Sequence, residues 1–166
     1  DTMLDTIRAL CMDPDINLDK KVYHSEMSHI SRNRAIAYLL ESKGYIEKNK
    51  DVENSLHFYV KMCSLSVTAE SLAGLGLILA NDGIHPDTGK RLLSSQAVKI
   101  VKTLMFTCGM YDGSGEFAVR VGIPSKSGVG GGILSVVDGE MGIGIFGPAL
   151  DKKGNSVAGE CVLEYM

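Results

Sequence analysis

A chain of 166 residues fits one domain able to bury roughly two thirds of its unfolded surface, so its length calls for no disulfide or metal staple. Hydrophobic residues at 45% and charged residues at 22% are globular proportions and exclude a largely disordered chain. A formal charge of −3 argues against a general affinity for nucleic acid or an anionic membrane.

The longest apolar stretch, Leu72 to Ala80, is too short to span a bilayer and reads as a buried helix. Residues 1–20 show no basic segment followed by an apolar run, so no secretory signal is visible there. The cysteines Cys11, Cys63, Cys108 and Cys161 are far apart, with no Cys-x-x-Cys and no His/Cys cluster. Free thiols in a reducing cytosol are expected, rather than a zinc site or a disulfide framework.

In chain order, Met3, Leu4, Ile7, Leu10 and Cys11 recur at helical spacing, and Asp13-Pro14 ends the segment. Ser25-Glu26 opens a second helical pattern that buries Ile30, Ile36, Ala37, Leu39 and Leu40 and stops at Gly44. Glu26 and Asn33, seven positions apart, then point the same way, because seven residues make about two helical turns. A third helix is expected over about 52–62, with Leu56, Tyr59, Val60 and Cys63 on one side. Thr68 caps a fourth, Ala69 to Ala80, whose small side (Ala73, Gly74, Gly76, Ala80) suits close backbone contact. Glu70 comes too early for a capping box. A turn at His85 to Gly89 leads to a fifth helix from Ser95 to about Phe106, carrying Val98, Ile100, Val101, Leu104 and Met105.

Past Gly109 the period changes. Phe117, Val119 and Val121 alternate with Ala118, Arg120 and Gly122 as a strand does, and Asp138-Gly139 between two apolar runs, residues 133–137 and 141–146, signals a hairpin. From Asn155 a last helix carries Val157, Cys161, Val162 and Tyr165 on one side. Helices, then antiparallel strands, then a helix laid on the sheet make an α+β arrangement, helical over about 1–107 and strands plus terminal helix over about 108–166.

Polar chemistry is concentrated in the glycine-rich stretch from Cys108 to Gly132. Lys126-Ser127-Gly128 leads into glycines whose missing Cβ lets backbone approach a ligand. A Lys-Ser/Thr-Gly is the third signature of the penicillin-recognising serine hydrolases, whose first is Ser-x-x-Lys, and no serine here begins such a motif. Lys126 precedes the glycines, so the run is no P-loop. Taken singly, these residues have plainer readings. A Glu and an Asn on one helix are more often a solvated face, a tyrosine beside Phe58 is more often core, and Tyr111 in a turn is more often structural. The histidines 24, 29, 57 and 85 are scattered and receive no role.

Six ordered segments change that balance: Ser25-Glu26 with Arg32-Asn33; Phe58-Tyr59 ahead of Cys63-Ser64; Asp87-Thr88-Gly89; Cys108-Gly109-Met110-Tyr111-Asp112; Lys126-Ser127-Gly128-Val129 with Gly131-Gly132; and Asp151 to Ser156. From about Ser25 to Ala158 they resemble the C-terminal part of the serine-dependent glutaminases, which share the β-lactamase/penicillin-binding-protein-like fold. The resemblance implies hydrolysis of the side-chain amide of L-glutamine through an acyl-serine, with no metal or organic cofactor, in the cytoplasm. It implies substrate-binding roles for Glu26, Asn33, Tyr59, Tyr111 and Val129, with Tyr111 also catalytic. Lys126 is divided between pocket electrostatics and strand-edge scaffolding.

The chemistry of these groups fits that implication. Glu26 can pair an α-ammonium, Asn33 can hold an α-carboxylate, and Tyr59 offers a hydroxyl on a rigid ring. Tyr111 can move a proton at the serine, helped by a neighbouring cation such as Lys126. The Val129 amide, between glycines, can serve an oxyanion hole. The nucleophile is expected on an upstream segment of roughly 140 residues, completing a domain of about 300. This chain alone is then inactive, and its unpaired sheet edge calls for that segment or a second copy. The alternatives are a non-catalytic module that binds an amino acid or a partner chain, and a penicillin-recognising hydrolase.

Overall fold

The computed structural model describes residues 2–47 and 51–166. They form two compact units, one made of the residues up to Asp15 together with Val67–Met166, the other of Ile16–Ser66. Helix α1 (Thr2–Cys11) ends as expected, where Met12 takes a positive φ of 54° and the Asp13 amide closes back on the Arg8 carbonyl at 3.0 Å. Burial pushes the Cys11 thiol up to about 11, and no disulfide joins the cysteines.

In the smaller unit, β1 (Asn17–Leu18) pairs antiparallel with β2 (Leu65–Ser66), closing the ends of a helical excursion. Between them lie α2 (Lys20–Ser28), α3 (Ser31–Ser42) and α4 (Val52–Cys63), with Asp19 and Asp51 accepting from the first amides of α2 and α4. The single helix expected from Ser25 to Gly44 is corrected to two. The Ser25 carbonyl is taken at 2.7 Å by the Ser28 hydroxyl and contacted at 2.9 Å by the His29 ring, polar groups that compete with helix continuation. Ile30, 5% exposed, anchors the break in a core with Val52, Leu56 and Val60. Two further expectations fail with it. Ile36, Leu39 and Leu40 are exposed on α3, and on α4 the buried face is Val52, Leu56 and Val60 while Tyr59 and Cys63 face outward.

The larger unit continues through α5 (Ala69–Ala80), α6 (Ser95–Cys108), a 3-10 turn (Tyr111–Gly113), α7 (Ser114–Arg120), β3 (Ser125–Ser127), β4 (Gly132–Val137), β5 (Met141–Phe146) and α8 (Val157–Tyr165). The strands form an antiparallel sheet in the order β3-β4-β5, and the hairpin falls at Asp138-Gly139. The outcome is the expected α+β arrangement. Among the described residues no helix is long and apolar enough to cross a membrane.

Three local readings of this unit change. Residues 117–122 are not a strand, because Phe117 and Val121 also stand one helical turn apart and both pack with Met110, Ile133 and Leu163, whereas Val119 is 88% exposed. Arg120, paired with Glu160 at 2.7 Å and with Glu164, ties this helix to α8. On α6 the buried positions are Val98 and Met105, with Ile100, Val101 and Leu104 exposed; on α8 they are Gly159 and Leu163, with Val157, Cys161, Val162 and Tyr165 outward. Beyond the expected Thr68 cap, α5 has a full capping box, in which Ser71 stands at the three-residue spacing that Glu70 misses and its hydroxyl accepts from the Thr68 amide at 2.9 Å.

Glycines set the distance between α5 and the sheet. A Cβ on Gly76 would stand 2.7 Å from the Gly142 Cα, and one on Gly144 would meet the Ala69 carbonyl and lie 2.7 Å from the Ala73 nitrogen. Backbone cannot yield as a side-chain tip can. Gly144→Ala is therefore expected to cost about 1–3 kcal/mol, read as a fall of several degrees in Tm. An unchanged melting curve would place α5 farther from β5 than described.

Candidate active site

Tyr111 begins the turn after α6 with φ of 52°, the left-handed region that costs a non-glycine residue about 1–2 kcal/mol. Two buried side chains hold the backbone around it. The Ser114 hydroxyl accepts from the Met110 amide at 3.0 Å and donates to the Tyr111 carbonyl at 2.8 Å. The Asn155 side-chain amide donates to the Met110 carbonyl at 3.2 Å. Met110 itself is fully buried, so the strained residue is hinged on core.

Tyr111 remains 38% exposed. Lys126, on the outward face of edge strand β3 between inward Ser125 and Ser127, carries its ammonium to 4.7 Å from the ring centroid. That cation–π geometry joins the third-signature lysine to the tyrosine, and the same ammonium donates to the Ser127 carbonyl. Ser127 is 1% exposed, and its hydroxyl has no hydrogen-bond partner among the described residues.

Val129 sits at the tip of the glycine turn. The Gly128 amide donates to the Gly132 carbonyl and the Gly131 amide to the Gly128 carbonyl, each at 2.9 Å, whereas the Val129 amide is engaged by no protein acceptor among the described residues. Gly131 is required here, since its φ is 96° and a Cβ would come within 2.6 Å of the Gly147 carbonyl oxygen.

A third segment closes the group. In the loop Asp151 to Asn155, the Asp151 carboxylate accepts from the Asn155 amide at 2.8 Å and the Lys153 amide at 2.9 Å, which holds it below the usual carboxylate range. The loop presents Gly154, with φ of 95°, between the two site residues. A Cβ there would lie 3.6 Å from Tyr111 Cε2 and 3.7 Å from Val129 Cγ1. Tyr111 and Val129, separated in sequence, therefore flank one glycine with Lys126 over the tyrosine. Lys153 is turned to Glu116 at 2.6 Å. Ser114 has no sequence signature, and Gly154-Asn155 stood out only as part of the segment Asp151 to Ser156.

Glu26, Asn33 and Tyr59 belong to the smaller unit, each on its own helix. Glu26 is exposed on α2, Asn33 partly buried on α3, and Tyr59 half-exposed on α4. The break at His29-Ile30 removes the two-turn alignment expected for Glu26 and Asn33. Cross-helix bonds hold the helices instead: the Tyr23 hydroxyl meets His57 Nδ1 at 2.7 Å, and Arg34 forms a fork with Glu53 at 2.8 and 2.9 Å. The pair sets Glu53 below its usual range, the guanidinium hydrogen bond being the main cause. Asn33 adjoins Arg34 in sequence, and Glu26 lies one turn beyond Tyr23.

Similarity to known proteins extends over the whole chain. The glutaminase family model matches residues 1–166, more than the stretch from about Ser25 to Ala158 read from the motifs. The chain is 52% identical over 164 residues to a glutaminase of Clostridium tetani, covering 99% of this chain and 53% of that protein. With a glutaminase of Clostridioides difficile the identity is 54% over 164 residues, at 99% and 52% coverage. Among solved structures, a Bacillus subtilis glutaminase in covalent complex with 5-oxo-L-norleucine superposes with a TM-score of 0.91 at 39% identity, over 99% of this chain and 58% of that one. A Bacillus glutaminase in 4.3 M NaCl gives 0.90 at 40% identity, over 99% and 56%. The chain spans about half the length of the curated relatives it matches. With one family model covering every residue and the same backbone in solved members, this chain belongs to the glutaminase family and has its serine β-lactamase-like fold.

Proposed function

We propose that this chain supplies the substrate-binding and oxyanion-hole residues of an enzyme that hydrolyses L-glutamine to L-glutamate and ammonia, the nucleophilic serine lying on a segment outside these residues. The observation that carries the reading is that Tyr111, under the Lys126 ammonium, and Val129, whose amide is unengaged among the described residues, flank Gly154. Tyr111 brings a hydroxyl able to move a proton, and Val129 a backbone donor suited to a developing oxyanion. Support for the substrate comes from the Bacillus subtilis relative, whose covalent complex formed by reaction with 6-diazo-5-oxo-L-norleucine, an amino acid that matches glutamine up to its side-chain carbonyl and carries a diazo carbon in place of the amide nitrogen.

In this mechanism Glu26 pairs the α-ammonium of glutamine, Asn33 holds the α-carboxylate and Tyr59 gives a further polar contact. The upstream serine attacks the amide carbon, and the Val129 N–H takes the oxyanion, a donor worth roughly 3 kcal/mol. Tyr111 transfers the proton that lets ammonia leave, and Lys126 adds positive charge beside its ring. Water then hydrolyses the acyl-serine. The chemistry needs no metal or organic cofactor, and we place the protein in the cytoplasm as a homo-oligomer, with glutamine its small-molecule partner.

The test is the intact protein with its upstream segment. It is expected to release ammonia from L-glutamine and to react with 6-diazo-5-oxo-L-norleucine, but to take no label from a fluorescent penicillin. Glu26→Gln, which keeps shape and removes charge, is expected to raise KM about 10- to 100-fold with kcat nearly kept, as for loss of a charge-assisted hydrogen bond of roughly 1.5–3 kcal/mol. Penicillin labelling without glutamine turnover would overturn the assignment.

A further inference from the structure

We propose that Ser114 and Asn155 are positioning residues that lock Tyr111 in its left-handed backbone conformation and so aim its hydroxyl. The inference rests on the reading of Tyr111 as the proton-transfer group. It goes beyond that reading in naming two side chains that touch no substrate.

The argument starts from the backbone. A tyrosine at φ of 52° has lower-energy alternatives on the negative side, and something must remove them. Reaching them means turning the peptide units on either side of Tyr111. Ser114, 5% exposed, bonds the Met110 amide and the Tyr111 carbonyl with one hydroxyl, tying the peptide unit ahead of Met110 to the unit that follows Tyr111. Asn155, with no exposed surface, bonds the Met110 carbonyl, which also accepts from the Gly113 amide at 3.0 Å. Rotation would strand these groups away from water, where unpaired polar atoms are costly.

Asn155 carries a second indication. Its side-chain oxygen is buried and has no hydrogen-bond partner among the described residues. A buried acceptor left unpaired weighs against an asparagine that merely fills space, because a leucine of similar size would fill it without that cost. What the amide side chain adds is its donation to the Met110 carbonyl. The same loop sets Gly154 beside the ring, so one segment fixes both the backbone and the flank of Tyr111.

The experiment uses the intact protein and counts functional sites by complete reaction with 6-diazo-5-oxo-L-norleucine. Ser114→Ala and Asn155→Leu are each measured alone and in a Tyr111→Phe background. The expected result is a fall in kcat per titrated site of about 10- to 100-fold, as for a catalytic group displaced by an ångström or so, with KM within about threefold. Ser114→Thr, which keeps the hydroxyl, is expected to restore kcat. In the Tyr111→Phe background the same changes should add little, because their effect passes through the missing hydroxyl. A kcat per site that stays within twofold, or one that falls equally in both backgrounds, overturns the proposal. Should Ser114→Ala fail to fold, Asn155→Leu carries the same comparison by itself. A wild-type protein that neither hydrolyses glutamine nor reacts with the diazoketone sinks the functional reading instead.

Discussion

Purified as these 166 residues alone, the protein is expected to release no ammonia from glutamine above the buffer rate. None of its serines begins a Ser-x-x-Lys. An oxyanion hole and binding contacts that have lost their nucleophile keep only a residual fraction of catalysis. A coupled glutamate assay at high protein concentration measures this, with circular dichroism recorded alongside to show that the helices are formed. Turnover that rises in proportion to the amount of this chain would locate a nucleophile within it. Among the described residues β3 and β5 each pair with β4 alone, so each leaves one edge open. Adding the upstream segment is expected to restore both sedimentation as a defined assembly and activity, because an unpaired strand edge is a template for another strand.

Replacing Tyr111 by phenylalanine in the intact protein should lower kcat by about 10²- to 10⁴-fold, the range for loss of a positioned acid–base group. The ring is retained, so the Lys126 ammonium at 4.7 Å keeps its partner and the contact with Gly154 is unchanged. KM should move little, since the α-amino and α-carboxylate groups of glutamine are assigned to Glu26 and Asn33. A kcat within threefold of wild type would show that the hydroxyl carries no proton in the rate-limiting step, and Tyr111 would revert to a packing residue beside the lysine.

The elements legible in sequence are those whose signals are local. The α1 stripe, the small-residue side of α5, the Asp138-Gly139 hairpin and the glycine turn around Val129 each declare themselves within one window of residues. The resemblance extended this to the site, because it named Tyr111 and Val129, which the fold then set on either side of Gly154. It gave no role to Asn155 and did not include Ser114, since holding another residue's backbone leaves no periodic mark.

Where local signals were misleading, a tertiary contact decided. Alternating Phe117, Val119 and Val121 read as a strand until Phe117 and Val121 found a shared core, and a continuous helix through His29 gave way where Ile30 was needed inside. Apolar residues on α3, α6 and α8 outnumbered the buried positions, so periodicity alone listed positions that are exposed. From the sequence by itself came the family, the α+β class, and which groups could grip an amino acid and carry an oxyanion. The tertiary structure alone decided which faces are buried, where helices break, and that a strained tyrosine under a lysine and the valine of the glycine turn flank one glycine: periodicity and turn chemistry act over a few neighbouring residues, whereas burial and convergence depend on surfaces brought together from distant parts of the chain.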